Sequence, residues 1–75
     1  MRVAMTVNDL QFCEKGVIIS LNMDETLRHR MSGMGFIIGK TIEVLRRTKH
    51  TLHIKIGTTE YAIRHTDATN IGIRK

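Results

Sequence analysis

Residues 28–44 read RHRMSGMGFIIGKTIEV, and the placement of their two glycines decides the fold. Gly35 follows a run whose apolar positions recur every three to four residues, and Gly39 precedes a run in which they alternate. The chain therefore passes from helix to strand across this stretch. Glycine takes the left-handed conformation at the C′ position of a helix without steric cost, so Gly35 is read as the helix stop. Gly39 turns the chain into the strand KTIEV. A phosphate-cradling loop needs the opposite order, strand then glycines then helix, closed by a Lys-Ser/Thr pair. That function is excluded here.

Upstream, Asp24 stands where an N-cap belongs, with a carboxylate able to accept from the free N–H groups of a first turn. Glu25 suits the positive end of the helix dipole. Leu27, Met31 and Met34 follow at i, i+4 and i+7 as one apolar stripe, with Arg28, His29 and Arg30 turned mainly away from it. The spacing predicts a helix from Asp24 to Met34. Downstream, KTIEV alternates around Ile42 and Val44, and TLHIKI around Leu52, Ile54 and Ile56. RRTKH reads as the polar connection between them, and GTT at 57–59 as a tight turn. EYAIR is a further strand with Tyr61 and Ile63 on one face; TDATN is one helical turn capped by Thr66; IGI is a short closing strand. Before the helix, Val3, Met5 and Val7 alternate as a half-buried strand, Asn8 to Leu10 form a capped turn, and GVIISL is a compact strand. The whole is mainly β: a small antiparallel barrel with one short α-helix over about 24–34, a single domain spanning residues 1–75.

Composition sets the remaining bounds. With 75 residues, 41% hydrophobic and 4% aromatic, the core must be aliphatic, and it lies near the lower size at which one core supports a fold. One cysteine, Cys13, allows no internal disulfide, which fits a reducing compartment. No signal peptide or membrane-spanning run is visible. The net charge of +5 is dispersed along the chain, which first reads as solubility, while raising the odds of an acidic partner, whether nucleic acid, an anionic membrane or an acidic protein face.

Taken together, LRHRMSGMGFIIGKTIEVLRR resembles the central signature of the FeoA family: a basic helix, Leu/Met-Gly-Phe/Ile, two residues, glycine and an alternating strand. VNDLQFCEKGVIISL upstream and EYAIRHTDATNIGIRK downstream are similar to the family's flanking segments. The resemblance implies an SH3-like barrel with an added helix, cytoplasmic and non-enzymatic, accessory to ferrous iron uptake. The implied partner is the cytosolic part of the membrane transporter FeoB. The family commonly has Pro-Gly where Phe12-Cys13 and Ile38-Gly39 stand here, and often a proline in the connection after the strand of Ile42 and Val44. This chain has no proline.

Three successive apolar residues in a connection cannot all point inward. Phe36, Ile37 and Ile38 are therefore candidate contacts for another protein or a dimer mate, so a homo-oligomer is among the expected assemblies. Arg28, Arg30, Arg46 and Arg47 would steer an acidic partner to them. Asp24, Leu27, Met31, Met34, Gly35 and Gly39 are assigned structural roles. The same arginines with Lys49 could meet nucleic acid, but the stacking aromatics that single strands require are nearly absent. A free-standing metal-responsive module is the other alternative. His50 and His53 are the only close histidine pair, and His29, His65 and Cys13 do not extend it to a four-ligand pattern. No cofactor, metal site, catalytic group or membrane insertion is expected: no set of residues meets the requirements of an active site, and three side chains offer too little apolar area for an anchor.

Overall fold

The computed structural model describes residues 5–75. Its strands are β1 (Lys15–Leu21), β2 (Thr41–Arg47), β3 (Thr51–Ile56), β4 (Thr59–Arg64) and β5 (Ile71–Arg74), with helices α1 (Glu25–Gly33) and α2 (His65–Ala68). They form one antiparallel five-stranded sheet in the order β4-β3-β2-β1-β5. The sheet bends around an aliphatic core in which Val7, Leu10, Ile18, Ile42, Val44, Leu52, Ile54 and Ile71 have no exposed surface.

Two β-bulges explain where the simple alternation of inward and outward residues fails. Gly16 and Ile18 face inward on β1, and strict alternation would put Ser20 inward next. The register shift between Ile18 and Ser20 adds one residue, so Leu21 is buried instead. On β2, Ile42 and Val44 face inward, and alternation would bury Arg46. The shift between Val44 and Arg46 swings the guanidinium out and leaves Leu45 half-buried. The strand thus continues through Arg47, and the connection expected over RRTKH shrinks to Thr48, Lys49 and His50.

Turn chemistry follows backbone sign. Glu14 N–H donates to Gln11 O at 3.0 Å and Lys40 N–H to Ile37 O at 3.0 Å. Each turn has its one positive φ at the third residue, Cys13 (66°) and Gly39 (99°), which makes both type II. Gly57 is the first central residue of the two-residue β3–β4 turn, with φ 63°. A positive φ at that position alone is the II′ form that matches strand twist. Near the β1 turn, the Glu14 carboxylate accepts from the Lys75 ammonium and from Gln11 N–H, and these bonds hold its pKa below the usual carboxylate value.

Two expectations are corrected. Val3 lies outside the described residues, and the alternation does not continue through Val7. Thr6 makes an isolated bridge to Gly72, after which Val7–Asp9 is a 3-10 turn closed by Thr6 N–H on Asp9 Oδ2 at 2.8 Å. The terminal helical turn begins at His65, with Arg64 rather than Thr66 at its N-cap.

Candidate partner-binding surface

The end of α1 sets the surface. Asp24 Oδ1 accepts from Leu27 N–H at 2.8 Å and fixes the helix start. At the other end Gly35, with φ 101°, lets Gly35 N–H reach Ser32 O and Phe36 N–H reach Met31 O, each at 3.0 Å. That pair of bonds is a Schellman motif, which brings the residue after the glycine against the helix's last turn. Phe36 accordingly packs inward. It is 0% exposed, beside Met31 and with its ring 5.5 Å from that of Tyr61. Leu27 and Met34 are half-buried against the same core, and the Tyr61 hydroxyl donates to the Met34 carbonyl.

Phe36 is therefore core and not a contact residue. The backbone continues outward: Ile37 is 45% and Ile38 62% exposed, on the type II turn closed by Lys40. Gly39 N–H donates to Ile18 O at 2.8 Å and Ile18 N–H to Lys40 O at 2.9 Å, which ties this turn to β1. The tie brings Ile19, 48% exposed, to the same end of the sheet. Ile19 was missed by sequence reasoning, although Ile18 and Ile19 are adjacent in a strand and only one of them can face inward.

The basic residues divide. Arg28 and Arg30 are exposed on α1, the element leading into the Ile37–Ile38 turn. Arg46 is exposed at the far end of β2, roughly 17 Å along the strand from Thr41 at about 3.3 Å per residue. Arg47 is engaged by the fold: its Nη2 donates to Asn8 O at 2.7 Å and Leu10 O at 2.9 Å, and Nη1 to Asn8 Oδ1 at 3.1 Å. It holds the 3-10 turn against β2 and is not a free steering charge. Of the expected positive face, Arg47 is engaged by the fold and Arg46 lies at the far end of β2; Ile37, Ile38, Ile19, Arg28 and Arg30 remain exposed.

The histidines do not converge. His65 Nε2 lies 3.1 Å from both Thr48 O and Thr51 O; carbonyls only accept, so this nitrogen carries the proton and cannot ligate a metal. Among the described residues no group of three or more His, Cys, Asp or Glu side chains is placed to hold a metal ion. The groove between Lys15, Thr41, Glu43, Lys55 and Gly57 is open to solvent. No helix among the described residues is long and apolar enough to cross a membrane.

Comparison with known proteins decides the family. Residues 5–75 match the model of the FeoA domain. The chain belongs to the FeoA family. An Fe(2+) transport protein A of Campylobacter jejuni is 27% identical over 71 residues, covering 92% of this chain and 96% of that protein. The crystal structure of an iron uptake regulatory protein, FeoA, superposes with a TM-score of 0.85 at 22% identity over 96% of this chain and 97% of the other. Stenotrophomonas maltophilia FeoA complexed with zinc, described as a procaryotic SH3 domain protein, gives 0.77 at 21% identity over 93% and 89%. The fold is the SH3-like fold of FeoA.

As a FeoA domain the chain departs from the family pattern at its two type II turns. Proline at the second position and glycine at the third are the residues this turn favours, and Phe12-Cys13 and Ile38-Gly39 occupy those positions here. At Cys13 a side chain sits in left-handed backbone, which costs about 1–2 kcal/mol, while Phe12 is 74% exposed and gains nothing from packing. The double change Phe12→Pro/Cys13→Gly is expected to stabilise the domain by about 1 kcal/mol, the proline offsetting the added freedom of glycine in the unfolded chain. Thermal denaturation checks it, with a rise of about 4–8 °C in Tm.

Proposed function

We propose that this FeoA-family chain is a cytoplasmic, non-catalytic accessory of ferrous iron transport that docks on the cytosolic part of a FeoB-type membrane transporter. The observation that carries the reading is the Ile37–Ile38 turn. Two large apolar side chains are held out to solvent on backbone pinned to both α1 and β1. A preorganised apolar projection loses little conformational freedom on binding. Arg28 and Arg30, exposed on the preceding helix, add to the positive charge of the domain, which speeds encounter with an acidic face and makes association salt-sensitive.

The test is binding of purified chain to a purified FeoB-type transporter in detergent, at several salt concentrations. Wild-type protein is expected to bind, more weakly as salt rises. Ile37→Asp/Ile38→Asp is expected to weaken binding tenfold or more while the domain stays folded, because neither side chain belongs to the buried core. Equal binding by the variant would remove this surface from the reading. Absence of binding by the folded wild type would remove the transporter.

A further inference from the structure

We infer that the free edge of β4 pairs with β4 of a second copy of this chain, antiparallel and two-fold about Ala62. Among the described residues no strand pairs with β4 on the side away from β3. The β3–β4 turn has two residues, so Ile56 and Thr59, which flank it, form a hydrogen-bonded pair. The alternation from that pair gives Ile54↔Tyr61 and Leu52↔Ile63 as the next bonded pairs. Glu60, Ala62 and Arg64 consequently direct their N–H groups away from β3, and all three residues are exposed. The chain leaves β4 into α2, whose first residue, His65, reaches back to the Thr48 and Thr51 carbonyls near the start of β3.

Self-pairing centred on Ala62 satisfies both backbone and side chains. Ala62 lies opposite its own copy, and Glu60 opposite Arg64 of that copy. These are the residues whose N–H groups face outward, so the parity of the ladder is correct without any slip. The Arg64 carbonyl opens α2 as its N-cap, so at that pair the ladder rests on Arg64 N–H donating to the Glu60 carbonyl.

The side chains point to the same register. Across the outer face of the sheet, Lys15 pairs with Glu43, Glu43 with Lys55, and Lys55 with Glu60. This row of alternating sign ends at the edge on an acidic residue, and the two-fold places Arg64 of the second copy next. Arg64 engages Asp67 through Nε alone, at 3.3 Å, with the rest of its side chain exposed, so its other donors are open to Glu60. Natural edges that resist pairing carry charges that repel an incoming copy; here the charges attract one. A single short strand buries far less than a permanent interface needs, so the dimer is weak and concentration-dependent.

The experiment is sedimentation equilibrium over a concentration series, paired with amide hydrogen exchange at Glu60 and Ala62. The expected result is a mass rising above the 8.6 kDa monomer, with slower exchange at these amides as concentration rises. Ala62→Pro removes an outward N–H without touching the β3 ladder and is expected to abolish dimerisation. Glu60→Arg and Arg64→Glu place like charges opposite each other in both symmetric pairs, and each is expected to raise the dimer Kd about tenfold. Glu60→Arg/Arg64→Glu is expected to restore it, which a variant that merely misfolds would not do. A monomer at every concentration overturns the inference. So does a dimer indifferent to these changes, one lost instead on Ile38→Asp, or protection at Ala62 that appears only on adding a strand peptide of another sequence.

Discussion

Phe36→Ala is expected to unfold the domain at room temperature. The ring is completely buried, packs against Tyr61 at 5.5 Å and sits beside Met31 under the end of α1. Truncating such a side chain costs about 3–5 kcal/mol, the lost transfer energy together with the cavity left behind. A core in a chain this short supplies a net stability of about the same size. The loss would also reach beyond one cavity, because Phe36 N–H closes the Schellman motif on Met31 O, and without the ring the turn that positions Ile37 and Ile38 loses its anchor. Urea titration followed by circular dichroism reads the result directly. A variant with a wild-type midpoint would show that Phe36 is not the keystone described here. Phe36→Ala is accordingly no control for partner binding, since any loss would report unfolding; Ile37→Asp/Ile38→Asp separates the two effects.

How Phe36 was misread shows what the chain discloses locally. Its place in a three-residue apolar connection says that some of Phe36, Ile37 and Ile38 must face water, but not which. The deciding element is Gly35. Its left-handed backbone returns the next residue to the last helical turn, where a C″ residue meets C3, here Phe36 and Met31. The glycine was legible as a helix stop, and its consequence for the following side chain was contained in the same motif. β2 and β3 were legible as alternating runs and β1 as a compact apolar one, but the bulges were not. Alternation alone buries Ser20 and Arg46, and only pairing with β5 and β3 shows the extra residue that turns both away. Arg47 presents a similar limit. As a sequence it is one more basic residue in RRTKH, and its three bonds to Asn8 and Leu10 exist only because the 3-10 turn returns to β2. The spacing of the histidines says nothing of their hydrogen bonds, and the proton on His65 Nε2 follows only from the two carbonyls it faces.

Gly16 gives the second large effect. In the sequence it merely opens GVIISL; in the fold it is buried on β1 beneath Ile73 of β5. A Cβ at Gly16 would lie 2.6 Å from Ile73 Cδ1 and 3.2 Å from Ile73 Cβ. Ile73 is 2% exposed and cannot swing into solvent, so β1 and β5 would have to separate or the core repack. Gly16→Ala is therefore expected to destabilise by about 1–3 kcal/mol, the range for overpacking, despite alanine's smaller loss of backbone entropy. Ile73→Val removes Cδ1, the atom in the shorter contact, and by itself is expected to cost about 0.5–1.5 kcal/mol. The double variant is expected to be more stable than the sum of the two losses implies, with a coupling of about 1 kcal/mol. Denaturant unfolding of the four proteins in this cycle measures it. Strict additivity would mean that the strain at Gly16 is relieved by backbone movement and not by Ile73. Favourable coupling would establish that the glycine is required by the close passage of β5, a tertiary cause that no local pattern around residue 16 contains.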